Sequence, residues 1–452
     1  MQTWPEVRGR ANAHSAGCLA IAILSWTLQS HAQPTSLPQI AFLVALRAQA
    51  ASGSTSINGI YRGTLGKQEI VVEIGEDREA RQAGSVVTGR YFFRHRGAAI
   101  FFEGGRLKDG SIRLKEFVYR DDESRALTGG EWRISFSGEQ GSGYFCKCDV
   151  SKSPTVAGGD FDISVKRVAA DIDPAYGYPP AGDPEKDPVY YKLLLDYSLK
   201  SDPEVRISAA IAYVMQTDAR FKVSAPQLTR FPDTKMMAEV NGDLAVRFRD
   251  GRLKSAACMQ NVQGGVEEHY AVTLLTRDLL NVVQGTVSFC GGMHSENTQG
   301  ILTYDMHTGD IVDFQAMLKK QIDPEVLKKY EDSNNMFPCI KNCDPDDEPF
   351  RGLLVELYMR YYISRPEAKD ENCKVTMFPD RTGDRLYHNS DIWPARNGLV
   401  IQPVLQHATQ GCGPEINIPY SEIFPLLKKD SALLALLPGA PVAEKKSIEK
   451  KK

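Results

Sequence analysis

The sequence predicts two folded parts of different class. The first is an N-terminal all-β antiparallel meander, closed as a small barrel or sandwich, and the second a C-terminal α+β domain with an antiparallel sheet. Three observations carry this reading. Short β-rich runs separated by turn residues fill positions 57–168, a proline-rich stretch follows at 169–188, and helical and strand periodicities then mix from 189 to 436. A chain of 452 residues is long enough for two or three domains and a sizeable core.

The β-rich runs lie at 68–74, 86–93, 99–103, 112–118, 132–136 and 161–168. Several alternate apolar and polar residues, as a strand with one face on a core must. Lys108-Asp109-Gly110-Ser111 reads as a hairpin turn, because Asp-Gly tolerates the positive φ such turns need. Six or seven strands are expected. Residues 171–188 then hold five prolines and few large aliphatics, which makes the stretch a stiff spacer.

Beyond the spacer, Tyr190, Leu193, Leu194 and Tyr197 share one face of a helix. Asp233 is placed to cap a second helix carrying Met236, Met237, Val240, Leu244 and Phe248. Strands are expected at 269–276, 280–290, 300–306 and 311–314, with His307-Thr308-Gly309-Asp310 turning between the last two. Leu353, Leu354, Leu357, Tyr358 and Tyr361 mark another helix, ended near Pro366. A strand at 399–405, a short helix at 421–427 and a basic, disordered tail at 437–452 complete the chain.

Residues 1–32 read as an export signal. Arg8 and Arg10 precede an apolar run at 16–28, and Ser30-His31-Ala32 offers a cleavage site, with a second after Ala50. A linker at 33–56 follows. Cys18 lies inside the apolar run, so removing the signal leaves Cys146, Cys148, Cys258, Cys290, Cys339, Cys343, Cys373 and Cys412. An even count in an exported chain suits disulfides, and Cys258–Cys290 and Cys373–Cys412 are suggested as pairs within the second domain. Cys146-Lys147-Cys148 and Cys339 with Cys343 also have metal-ligand spacing, but an oxidising compartment favours disulfides over metal. The acidic loop with Asp344, Asp346, Asp347 and Glu348 lacks the glycine of a calcium-binding EF-hand, so no metal is expected. No later segment is apolar enough to span a bilayer, and the mature chain is expected to be soluble, in the periplasm or outside the cell.

Lys and Arg number 54 against 57 Asp and Glu, a formal net charge of −3, which argues against a coat for nucleic acid or an acidic membrane. The basic-aromatic stretch 90–96 (RYFFRHR) is read as a strand with arginines outward rather than a base-stacking surface. Ser288 and Ser295 lack a nucleophile elbow, and the chain has no zinc helix and no phosphate loop, so no catalytic residue and no cofactor are assigned.

One loop stands out. Gly291 and Gly292 let the backbone turn or approach a ligand closely, and His294 with Glu296 supplies an imidazole and a carboxylate. The stretches Cys290-Gly291-Gly292-Met293-His294-Ser295, Tyr304-Asp305-Met306-His307-Thr308-Gly309-Asp310 and Ile418-Pro419-Tyr420-Ser421-Glu422-Ile423 occur in that order. With them the C-terminal half resembles the exported domain family that includes the lysozyme-sensing ectodomain of the anti-sigma factor RsiV. Met293 and Ser295 stand where that family carries a small residue and a proline. The N-terminal half, with residues 59–66 (GIYRGTLG), is similar to β-domains found ahead of it in Gram-negative exported proteins. The resemblance implies periplasmic residence and protein binding, and it implies no reaction. The chain is therefore expected to be an exported binding protein for a lysozyme-like or cell-envelope partner. The alternative is a cell-envelope hydrolase using the His294 loop.

Overall fold

In this computed structural model the structure describes residues 56–76, 86–119, 125–147, 161–170, 188–259, 264–290, 295–330, 348–370, 372–373, 390–405 and 411–439. The export signal with Cys18, most of the linker after it, positions 171–187 of the spacer, Cys148, Cys339, Cys343, Gly291, Gly292, His294 and the basic tail from residue 440 lie outside the described residues.

The N-terminal strands are β1 (Gly59–Leu65), β2 (Gln68–Glu76), β3 (Val86–Phe93), β4 (Ala99–Arg106), β5 (Ile112–Tyr119), β6 (Arg125–Ser137), β7 (Gln140–Lys147) and β8 (Phe161–Ala170). Each pairs antiparallel with the next, and β8 returns to pair with β1, from Gly59↔Ala170 to Leu65↔Ile163. The meander is therefore a closed eight-stranded barrel. The Asp109-Gly110 turn forms as its residues dictate: Gly110 sits at φ +81°, and Asp109 Oδ1 accepts from the Ser111 N–H at 3.0 Å.

The barrel has two strands, β1 and β7, that the apolar patterning does not reveal. Both are glycine-bearing where neighbouring backbone approaches. A Cβ on Gly63 would lie 1.9 Å from the Ser164 carbonyl oxygen, and one on Gly143 would lie 2.0 Å from that of Arg133. Glycine here is a packing requirement, and it thins out the side-chain alternation by which a strand is read.

Inside the barrel pack Tyr61, Ile70, Val72, Ile74, Tyr91, Phe102, Leu114, Trp132 and Ile163. The alternate residues of β1–β3 point outward and are buried too, because Ile60, Val71 and Phe92 join a second core with Tyr190, Tyr191 and Phe221. Those two tyrosines belong to α1 (Pro188–Leu195). The helix ends before Tyr197, whose ring lies 4.1 Å beneath the Arg220 guanidinium instead of continuing the helical face.

The central sheet is formed by β9 (Lys200–Ser201), β10 (Val205–Arg206), β11 (Ala212–Asp218), β12 (Val223–Arg230), β13 (Gly265–Leu275), β14 (Leu279–Phe289), β15 (Glu296–Asp305) and β16 (Ile311–Val312). Its order is β10-β11-β12-β13-β14-β15-β16, with β9 beside β11. The pairing is antiparallel except at β12–β13, which touch in parallel at Val223↔Glu268 and Ser224↔His269. α2 (Thr234–Cys258) makes that crossing, and Asp233 caps it by accepting from the Lys235 and Met236 N–H groups. Met236, Val240, Leu244 and Phe248 form its buried stripe.

The β11–β12 hairpin was hidden by Pro226, which demotes a strand on sight. Proline is tolerated here because, among the described residues, β12 pairs with β13 only at Val223 and Ser224, which leaves Pro226 one strand neighbour. Pro394 hides β17 (Ser390–Ala395) in the same way, on the edge of a three-stranded sheet with β18 (Gly398–Pro403) and β19 (Ile416–Pro419). A third core joins this sheet to α3 (Phe314–Gln321) and α4 (Glu348–Tyr362) through Phe314, Leu318, Leu354, Tyr358, Ile392 and Ile401.

Cys258 is bonded to Cys290 and Cys373 to Cys412, and Cys146 is also disulfide-bonded. Among the described residues no helix is long and apolar enough to cross a membrane.

Candidate functional site

Of the loop singled out in the sequence, Glu296 is described. It is exposed, opens β15 and pairs with Ser288. The Cys258–Cys290 bond fastens the chain just before the loop to the last residue of α2. From Glu296 to Leu302, β15 has β14 as its one strand neighbour among the described residues, because β16 joins only at Thr303 and Tyr304. The Glu296 end of β15 is thus a sheet edge, continuous with the loop.

The two faces of the central sheet differ. One carries Tyr270, Leu280, Val282, Leu302 and Tyr304 into the core with α2. The other is covered at one end, where Thr273 Oγ1 donates to the Pro394 carbonyl of β17 at 3.1 Å and the buried Asn281 bonds Thr273 and Thr303. Towards the Glu296 end this face opens to solvent.

Register brings four residues into a row on the open face, since directly opposed residues point the same way. Ser224 lies beside His269, His269 beside Gly285, and Gly285 beside Gln299. Ser224 Oγ is 3.1 Å from His269 Nδ1. Among the described residues no heavy atom comes within 4 Å of where a Cβ on Gly285 would sit, so the glycine leaves open space in the row. Gln299 Nε2 is buried and has no hydrogen-bond partner among the described residues. The next row holds Glu267, Val287 and Asn297, and the one on the other side Ala271, Val283 and Ile301. Lys222, at φ +52°, pairs with Glu267 and holds that carboxyl below its usual range.

Sequence reading passed over this row because its members are 75 positions apart at the extremes, from Ser224 to Gln299. The available signal was Gly285, a lone glycine inside an apolar strand, which often marks close approach by something else.

Two buried polar networks elsewhere are fully engaged. In the barrel, Glu116 accepts from Tyr91 Oη at 2.5 Å, Trp132 Nε1 at 2.8 Å and Thr128 Oγ1 at 3.0 Å. Burial, reinforced by that carboxylate, drives the Tyr91 hydroxyl well above its usual range, so it stays a donor. At the junction of barrel, α1 and α2, Asp218 accepts from Arg220 at 2.6 Å and from Arg252 at 2.9 Å. Arg220 also donates to the Arg94 and Leu194 carbonyls, and Arg252 to that of Leu195, closing the C-terminal end of α1. Both sites read as joints of the scaffold. Among the described residues no group of three or more His, Cys, Asp or Glu side chains is arranged to hold a metal ion.

No protein-family model and no curated protein matches the chain. Among solved structures it is similar to a DUF3298 family protein from Pseudomonas aeruginosa PAO1, with 12% identity and a TM-score of 0.28, over 52% of this chain and 96% of that one. It is likewise similar to a member of the DUF3298 family from Bacteroides fragilis NCTC 9343, with 12% identity and a TM-score of 0.29, over 51% of this chain and 94% of that one.

Proposed function

We propose that this chain is an exported, periplasmic binding protein of the RsiV-like kind, which takes a lysozyme-like or cell-envelope partner at the edge of its central sheet. The single observation that supports the reading is β15. From Glu296 to Leu302 its outer backbone is unpaired among the described residues, and Glu296, Asn297 and Thr298 are exposed. Such an edge is a template for another chain. Two protections common at such edges are absent from it: its pairing with β14 runs from Ser288↔Glu296 to Leu279↔Asp305 without a bulge, and it carries neither lysine nor proline. The disulfides accord with an oxidising compartment.

The test is a titration of the full chain with lysozyme and with proteins captured from periplasmic extract. Saturable binding at micromolar concentration is expected, weakened about tenfold by Thr298→Lys, which places a charge on the edge. Absence of any saturable partner, or equal binding by the variant, would sink the reading.

A further inference from the structure

The Cys258–Cys290 bond fastens the last residue of α2 to the residue that follows β14, beside the ladder end where the β15 edge begins. We propose that this bond is exchangeable: a dithiol reductant opens it by attack on Cys290, and opening loosens the neighbouring ends of β14 and β15. The proposal adds regulation to the edge described above, and its effect on binding rests on that reading.

Access decides which bond reacts. Thiol–disulfide exchange needs a thiolate to reach one of the two sulfurs. Cys290 is exposed and Cys258 is 4% exposed, so approach from solvent selects Cys290. The Cys373–Cys412 bond offers no such side, because its two residues are 7% and 8% exposed and belong to the third core. One chain thus carries an open disulfide and a closed one.

The incoming thiolate bonds to Cys290 Sγ, the S–S bond breaks, and its electron pair passes to Cys258 Sγ, which takes up a proton. The second thiol of the reductant then attacks the mixed disulfide as its thiolate. Cys290 leaves and is protonated, and the reductant departs as a disulfide, having given up two electrons. Burial favours the neutral thiol at Cys258. An acceptor for it is already in place, since the Phe289 carbonyl oxygen lies 3.1 Å from Cys258 Sγ.

Opening the bond leaves α2 anchored. Ser255 Oγ lies 2.9 Å from the Phe221 carbonyl and 3.1 Å from that of Val266, and Ala256 packs in the second core. The strand ends lack such anchors. Cys290 stands just past the terminal pairs Gly265↔Phe289 and Ser288↔Glu296, and residues 296–298 are exposed. Ladders fray from such ends, so the loosening stays local.

The full chain is incubated with dithiothreitol without denaturant, quenched in acid at intervals, then unfolded, alkylated with N-ethylmaleimide and mapped by mass spectrometry. Cys258 and Cys290 should become reduced about tenfold faster than Cys373 and Cys412. Equal rates, or reduction only when the chain unfolds, overturn the proposal. In the double variant Cys258→Ser with Cys290→Ser, amides of 287–289 and 296–298 should exchange hydrogen faster, with Val240 to Phe248 of α2 unchanged. Loss of protection in α2 as well would make the bond a staple of the whole fold and overturn the switch. Lysozyme, if it binds the parent, should bind this variant about tenfold more weakly, because the edge is no longer held ready. Equal binding overturns the regulatory role. If the bond exchanges and the strand ends loosen as expected while no partner binds the parent, the binding role fails and the exchangeable bond stands.

Discussion

At the scale of single residues, Asp218 is where the barrel, α1 and α2 are tied together. It is 1% exposed and holds two arginines that in turn reach Arg94, Leu194 and Leu195. Burial alone would raise its carboxyl, yet Arg220 and Arg252 hold it below the ordinary 3.8. Burial draws Arg252 down as well, but a guanidinium starts so high that it stays charged. A carboxyl depressed in the folded state adds stability that is present above its unfolded value and is lost as pH falls through the folded one. Asp218→Asn should therefore cost ~3–5 kcal/mol at neutral pH, since it strands two buried cations. The gap from the parent should narrow as pH falls below about 4. Urea unfolding at several pH values checks this, and a gap independent of pH would refute it. Glu116 gives a second residue-scale expectation. Three donors converge on its carboxylate, so Glu116→Leu leaves each of them unmet, at ~1–3 kcal/mol per donor. Trp132 fluorescence should shift as its indole loses that partner.

At the scale of elements, legibility followed side-chain content. β2 to β5 and the buried stripe of α2 were readable because large apolar residues recur with the right period. β1 and β7 were not, because glycines occupy the positions that would have shown alternation, and β12 and β17 were masked by prolines on strands with a free flank. The candidate row was illegible for a different reason: it exists only once register is set, and no local pattern encodes Ser224 beside His269 beside Gly285. The glycine argument makes a prediction of its own. Gly143→Val forces a side chain against the Arg133 backbone, which no rotamer can relieve, so loss of several kcal/mol and of the barrel's near-ultraviolet signal is expected. A variant that melts like the parent would show that the seam can give way.

At the scale of the whole molecule, the proline-rich stretch announces a change of composition but says nothing of what packs across it. The outer face of β1–β3 is sealed by α1 and by Phe221, with the Phe92 and Tyr190 rings 5.3 Å apart and the Arg90 guanidinium 3.9 Å from the Tyr190 ring. Barrel and central sheet should consequently unfold together. Phe92→Ala should cost ~3–5 kcal/mol and split a single calorimetric transition into two. Two transitions in the parent would show that the shared core couples them weakly.

Barrel closure also has a consequence in time. The partner of β1 is the last strand of the barrel, so β1 waits for roughly a hundred residues of further chain before its second edge is covered, about 5–20 s at ordinary rates of synthesis. Through that interval Ile60 and Tyr61, both fully buried at the end, stand on an unpaired edge. Substitutions along the β1–β8 seam, Gly63 among them, are therefore expected to show first in how much protein reaches the folded state, and only afterwards in how firmly it stays there.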